Sequence, residues 1–525
     1  MSGNISCREL AELMRSNSLY AVIDVRERGE FNDGQIPNAT SLPRSQIEFR
    51  LAGLVPNANI PIIVYDEGRE RATLAAKTLI ELGYEQTSVL DGGLTAWQED
   101  GGPTASGLNV PSKTFGEKVH SETHVPEITP EELDGLRRTA TDLMILDVRT
   151  PEEYGRFCIP GGLNVPGGDL ILWAEELKRY PDRSVVVNCA GRTRSIIGTA
   201  ALRRLGVNHV RALKNGTMGW VLAGFALESK PAKESPAVPD DSRDQARAAA
   251  LRLAEEEQIP LISPQELSNI SLAGADTVVY FLDVRSENEY EAGHIPGSLS
   301  LPGGQAVQRV DDFVAVRNGR IVFISNQSSR AMMAAYWYKR MGYQDVRVLR
   351  GGLEAWRANS GSVISGWDGN DPLGLGQARE IARMITAEEA EGLVQSECTM
   401  ILDVGSSRDY EAAHIPGAKW ISRGWLEIKL SADLADKGAC ILLSCRNGRH
   451  SILAAYALEQ LGYRNAFVLS GGINAWSSAG FPTETGLAVC LSEPNDVVLS
   501  PSVRGNKEDM RRYLDWEMKL AARSG

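Results

Sequence analysis

Short apolar runs recur along the chain, and four of them end in the same pair, Asp-Val, at Asp24, Asp147, Asp283 and Asp403. Other runs, such as Pro61-Ile62-Ile63-Val64-Tyr65 and Ile441-Leu442-Leu443, show no polar alternation, the pattern of strands covered on both faces. Helix starts are marked too. Ser6, Thr129, Ser263 and Thr386 each stand three residues ahead of an acid (Glu9, Glu132, Glu266 and Glu389), the spacing of a capping box. Four times over, the pattern predicts a capped helix, a strand into Asp-Val, a Pro-containing loop, a helix, an apolar strand, a helix, a short strand, a Gly turn and a Trp-bearing helix. Such alternation predicts an α/β class fold with a parallel sheet and helices on both faces.

The repetition is strict. An Ile-Pro pair follows each Asp at one fixed distance (Ile36-Pro37, Ile159-Pro160, Ile295-Pro296 and Ile415-Pro416), and the step from Asp to Trp97, Trp220, Trp356 or Trp476 is the same in every copy. These anchors place four tandem domains at residues 4–105, 127–228, 261–364 and 384–484, with a linker at 229–260 and a C-terminal tail at 485–525. The longest Asp-to-Asp step falls between copies two and three, where Lys230 to Gln258 runs from Pro/Ser-rich into Ala/Arg/Glu-rich sequence. This segment is expected to be a flexible linker leading into a surface helix, dividing the protein into two pairs. Near the end, Glu508 to Ala522 reads as a charged helix.

Of the 525 residues, 43% are apolar and 23% charged, an ordinary globular balance with room for several cores. A formal net charge of -13 disfavours nucleic acid and anionic lipid as partners. No apolar run is long enough to span a bilayer, so the expected location is cytoplasmic. Seven scattered cysteines, an odd number, read as reduced thiols rather than a disulfide framework.

One cysteine sits where the fold puts ligands. Val185-Val186-Val187-Asn188 runs into Cys189-Ala190-Gly191-Arg192-Thr193-Arg194-Ser195 and then a helical stretch, so Cys189 ends a strand and faces a helix N-terminus. Free backbone N–H groups, the helix dipole and the charges of Arg192 and Arg194 are expected to lower its pKa and make it a nucleophile, with Gly191 curling the loop at positive φ. Copy four has Cys445-Arg446-Asn447-Gly448-Arg449-His450-Ser451 at the same offset, with His450 where copy two has Arg194. Copies one and three carry Asp66 and Ser325 at the nucleophile position, though Arg71 and Arg330 still close their loops.

Taken together, the Asp-Val-Arg strand, the stretch Glu289 to Gly297, the Cys loop ending in Arg-Ser and the Gly-Gly-x-x-Ala-Trp turn resemble the rhodanese superfamily over nearly the whole chain. The resemblance implies a sulfurtransferase in which Cys189 and Cys445 carry sulfur as persulfides. Arg192, Arg194, Gly191 and Ser195 in one loop, and Arg446, Gly448, Arg449 and His450 in the other, would then hold the substrate. It implies a small-molecule sulfur donor such as thiosulfate, an acceptor that is cyanide or a thiol, small or on a protein, and no cofactor or metal. The loops have the six-residue length of sulfurtransferases, whereas related phosphatases and arsenate reductases have longer ones. A persulfide carrier or sensor scaffold with little small-donor turnover is the alternative from the binding class. The alternation of domains without and with cysteine is similar to two head-to-tail copies of the two-domain thiosulfate and mercaptopyruvate sulfurtransferases. That likeness implies copy one packed on copy two, and copy three on copy four.

Elsewhere, Cys398 and Cys440, beside apolar strand residues, read as small buried hydrophobes, and Cys158 and Cys490 as bystanders. His294 and His414 read as hydrogen-bonded scaffold, the four tryptophans as core anchors. His120 and His124, one helical turn apart, lack further ligands nearby for a metal.

Overall fold

A computed structural model of the chain describes residues 3–139, 142–229, 237–271, 277–367, 371–396 and 398–520. All four capping boxes form: the backbone N–H of Ser6, Thr129, Ser263 and Thr386 donates to the glutamate three residues on, and each hydroxyl accepts in return.

Among the described residues the repeats build one sheet each. In copy two the strand order is Glu127–Ile128, Val210–Leu213, Ser184–Asn188, Leu143–Asp147 and Leu163–Asn164, every pair parallel. Copy one has the same order, with Val316–Arg317 added antiparallel to Tyr20–Asp24 at its edge. The two-sided apolar runs are explained by two cores. Val185 and Val187 face Leu170, Trp173 and Leu177, whereas Val186 faces Leu133, Ile159 and Trp220 on the other side of the sheet. Each anchor tryptophan is buried and donates its indole N–H to the carbonyl six residues on, at 2.7–2.9 Å. No described helix is long and apolar enough to cross a membrane.

The repeats pair differently from the expectation. One compact unit comprises Met1–Leu108, Ala315–Arg317 and Gly369–Val498, so copy one is joined to copy four; the other comprises Asn109–Val314, Asn318–Asp368 and Leu499–Gly525, joining copy two to copy three. The linker does not divide the chain. Its helix, Asp240–Glu256, buries the small stripe Ser242, Ala246 and Ala250 and packs on a helix of copy two, Leu170–Lys178, and one of copy three, Ser329–Arg340. The Pro/Ser-rich start at residues 230–236 lies outside the described residues.

What selects the partners is the loop after the short strand that follows the Ile-Pro turn. In copies one and four it carries Arg44 with Glu48 and Arg423 with Glu427, and these cross reciprocally: Arg44 Nη1 donates to Glu427 at 2.6 Å and Arg423 Nη1 to Glu48 at 2.9 Å, all four side chains largely buried. The same positions in copies two and three are Gly167 and Ile171, Gly303 and Val307. There the backbones touch directly, since a Cβ on Gly168 would lie 3.0 Å from Gly303 Cα, and one on Gly303 2.9 Å from Gly168 Cα. Two copies of an Arg/Glu surface, or two of a Gly/apolar one, complement each other; one of each would bury unpaired charge.

Removing one arginine should therefore cost far more than a surface charge. Arg423→Ala is expected to destabilise the unit of copies one and four by about 3–5 kcal/mol, read as an earlier calorimetric transition, and Arg423→Met with Glu48→Leu to recover most of the loss. An unchanged transition in Arg423→Ala would show that these pairs do not hold the copies together.

Candidate active site

Each loop after the third core strand is fixed from both ends. In three copies the strand aspartate is tied to the arginine two residues on: Asp24 to Arg26, Asp147 to Arg149 and Asp283 to Arg285, at 2.6–2.7 Å. Each arginine also donates to a carbonyl of the Ile-Pro loop, Gly34, Phe157 or Gly293. At the other end the Gly turn closes over the loop. Gly93, Gly216, Gly352 and Gly472 have positive φ, and a Cβ on any of them would lie 1.9–2.4 Å from the carbonyl oxygen at the nucleophile position. No residue with a Cβ fits there, which is the physical content of the repeated Gly-Gly-x-x-Ala-Trp motif.

Copy one shows what the loop binds. The Asp66 carboxylate accepts the backbone N–H groups of Gly68, Arg69 and Ala72 at 2.7, 2.9 and 3.0 Å, so the N–H groups at the head of the helix already enclose an anion. In copy three the Ser325 hydroxyl accepts from Ala331 N at 3.3 Å.

Cys189 of copy two is 2% exposed, with Sγ 3.4 Å from the Ser195 hydroxyl. Burial pushes its thiol pKa up, against the pull of Arg194 and the Ser195 hydrogen bonds. The expected depression of the pKa is thus overturned in this closed arrangement, because desolvation outweighs the nearby positive charge. Arg194 is clamped by Glu153 at 2.6 and 2.7 Å. Burial alone would raise Glu153, but Arg194 holds it down at about 2. Arg192 points elsewhere: it donates to Glu117 at 2.6 and 3.0 Å and to Asn215, fastening the loop to the helix Val110–Thr123. Gly191 does not have positive φ. Its α-carbon packs towards Met218, Glu517 and Tyr513, whose side-chain ends a Cβ there would meet at 2.9, 3.2 and 3.6 Å. A small, mostly apolar cleft borders the loop, lined by Arg194 and Gly198 of copy two and by Gly304, Arg330 and Trp337 of copy three.

Cys445 of copy four is 1% exposed, its pKa also raised by burial against the Ser451 hydrogen bonds. The charges around it differ. Arg446 is exposed and paired with Asp409 at 3.0 Å, Arg449 faces Asp371 at 3.6 Å, and Gly448 supplies the positive φ of the turn. His450 stacks on Phe49 of copy one at 4.3 Å. Burial and then Arg423 push its pKa down to about 3, so the ring is neutral at physiological pH. Gly405 removes the arginine that pairs the strand aspartate elsewhere. The indole of Trp420, where other copies have Ser41, Asn164 and Ser300, donates to the Gly405 carbonyl at 3.0 Å. Asp403 keeps only Gly405 N and the Ser444 hydroxyl, and burial raises its pKa to about 7.

Sequence reasoning missed Glu153, Asp409 and Glu517. The first lies in the Glu-Tyr pair preceding the Ile-Pro loop, and its constant distance from the loop arginine was the available signal; Glu517 carries none, lying in the tail helix Lys507–Lys519. Of the remaining cysteines, Cys398 is exposed, contrary to expectation, because it precedes its strand; Cys440 is half-buried and Cys158 buried. His294 and His414 bond through Nδ1 to the carbonyls of Tyr290 and Tyr410, as scaffold groups do. His120 faces Glu127 at 3.3 Å.

The Rhodanese-like domain family matches residues 6–100, 129–223, 263–359 and 386–479. Among solved structures, the chain is similar to a thiosulfate sulfurtransferase from Pseudomonas aeruginosa, with 36% identity and a TM-score of 0.91 over 99% of this chain and 97% of that one. It is also similar to a thiosulfate sulfurtransferase of Azotobacter vinelandii, 26% identical over 239 residues (38% of this chain, 87% of that protein). A third relative, a sulfurtransferase of Allochromatium vinosum, is 30% identical over 103 residues, 20% of this chain and 94% of that protein.

The unpaired Asp403 gives copy four a pH signature. An unfolded aspartate titrates near about 4, whereas Asp403 in the fold holds its proton to about 7. Between those values only the unfolded chain ionises, so stability is greatest below the unfolded pKa and falls as pH climbs through the window, on the order of a few kcal/mol. Asp403→Asn should remove that slope, seen as a smaller shift of the thermal transition between pH 5 and pH 8 than in the wild type. Equal shifts would mean that Asp403 is not the group responsible.

Proposed function

The chain belongs to the rhodanese-like domain family and is a sulfurtransferase; on that premise we propose that its donor is thiosulfate and that Cys189 is the principal persulfide-forming nucleophile. The observation that carries this reading is the equivalence of the loops. Where copy one holds the Asp66 carboxylate in its backbone N–H groups, copy two places Cys189, with the Ser195 N–H bonded to it and Arg194 beside it. A persulfide anion at Cys189 would be held as that carboxylate is.

The Cys189 thiolate attacks the outer sulfur of thiosulfate. An Sγ–S bond forms, the S–S bond of the donor breaks, and the electron pair leaves with sulfite. Arg194, positioned by Glu153, faces the negative charge of donor and persulfide, while Gly191 and Ser195 shape the loop. Arg192, committed to Glu117, positions the loop. Cyanide or a thiol, small or on a protein, then takes the outer sulfur and regenerates the thiolate. Cys445 is a second nucleophile with a different loop, in which Gly448, Arg446 and Arg449 line the rim and a neutral His450 replaces the buried guanidinium. Burial of both sulfurs favours the persulfide-carrier role as a second reading, since a shielded persulfide persists. Seven cysteines, an odd number scattered along the chain, favour the cytoplasm.

Intact mass after incubation with thiosulfate tests this. The wild type should gain sulfur that cyanide removes, Cys189→Ser should lose most of the gain, and the double variant with Cys445→Ser all of it. No gain in the wild type overturns thiosulfate as donor. Arg194→Ala should slow loading of Cys189 by roughly a hundredfold, measured as the rate of mass gain; an unchanged rate removes Arg194 from the donor site.

A further inference from the structure

The tail helix Lys507–Lys519 lies across the outer face of the Cys189 loop. Met510 and Leu514 are buried against Met218, which sits in the helix that follows the Gly turn. Lys113, in the helix Val110–Thr123, stacks over Tyr513 at 5.0 Å and Trp516 at 4.8 Å. Glu517, 1% exposed, accepts the backbone N–H and the hydroxyl of Thr193 on Oε1. Its other oxygen, Oε2, has no hydrogen-bond partner and is the atom that a Cβ on Gly191 would meet at 3.2 Å. A buried carboxylate with one oxygen unanswered is thus aimed at the loop that must receive an anionic donor.

We propose that Glu517 is a specificity-determining residue of the Cys189 site, a carboxylate on the mouth of the loop that weakens entry of anionic donors, dianionic ones most. The inference rests on the reading of Cys189 as the sulfur-accepting nucleophile. A donor approaching Gly191 and Thr193 must displace or lie beside Glu517, meeting its charge in a buried site where like charges repel strongly. Burial pushes the Glu517 carboxyl up, against the pull of Lys113, the Thr193 hydrogen bond and Arg192, which favour the carboxylate. The same charge raises the proton affinity of the Cys189 thiol.

The test uses the full-length chain with Glu517→Gln, which keeps the shape and removes the charge, and Glu517→Ala, which removes both. Persulfide formation at Cys189 and at Cys445 is read separately from peptides after timed exposure to thiosulfate, a dianion, or methanethiosulfonate, a monoanion that transfers its outer sulfur and leaves as sulfinate. Both variants should lower the half-saturating thiosulfate concentration for Cys189 by roughly tenfold, with the limiting rate little changed and Cys445 unaffected. In Glu517→Gln the gain should be smaller for methanethiosulfonate. Alkylation of Cys189 by neutral iodoacetamide should also quicken in both variants. Unchanged half-saturation together with unchanged alkylation overturns the proposal, as does weaker thiosulfate binding in both variants with Cys445 loading intact. If thiosulfate loads neither cysteine of the wild type, the donor assignment fails, and the alkylation rates still decide the role of Glu517.

Discussion

Backbone N–H groups crowded at the head of a helix and turned inward must be answered by something negative or at least accepting. The four repeats share that constraint and differ in the answer. Copy one supplies its own carboxylate, Asp66, and so closes itself to any outside anion. Copy three supplies a hydroxyl, Ser325. Copies two and four supply a cysteine thiol, Cys189 and Cys445. The rest of each domain, from the strand aspartate to the clamping glycine, keeps those N–H groups in position whatever answers them.

The two sulfur loops are tuned by different means. Around Cys189 the charges are buried and paired, Arg194 with Glu153 and Arg192 with Glu117, so that each guanidinium has a fixed direction. Around Cys445 the arginines are on the rim, the buried cation is replaced by a neutral imidazole, and the strand aspartate has lost its partner. A buried charge is directional and weakly screened; an exposed one is neither. One loop framework thus sets its two cysteines in very different fields within one chain.

Much of this was legible in the residues. The fixed steps between Asp, Ile-Pro and Trp identified four equivalent α/β domains, and the capping boxes marked their first helices, because local hydrogen bonding and strand burial are written in short-range patterns. The Cys loops were legible for the same reason. The pairing of copies was written too, in Arg44-x-x-x-Glu48 and Arg423-x-x-x-Glu427 against Pro166-Gly167-Gly168 and Pro302-Gly303-Gly304. The likeness to two-domain enzymes, which implies copy one on copy two and copy three on copy four, points the other way. Glu517 was beyond reach: its bonds go to Thr193, across more than three hundred residues.

The nested pairing sets an order of assembly. Copy two meets its partner as soon as the next repeat is made, and its contact face is glycine and aliphatic. Copy one waits for the last repeat; at about 5–20 residues per second the ribosome takes roughly half a minute to deliver it. The face that copy one exposes meanwhile carries Arg44 and Glu48, which water solvates well, beside the ring of Phe49. The chain thus assigns its sticky surface to the pair that meets early and its soluble surface to the pair that meets late.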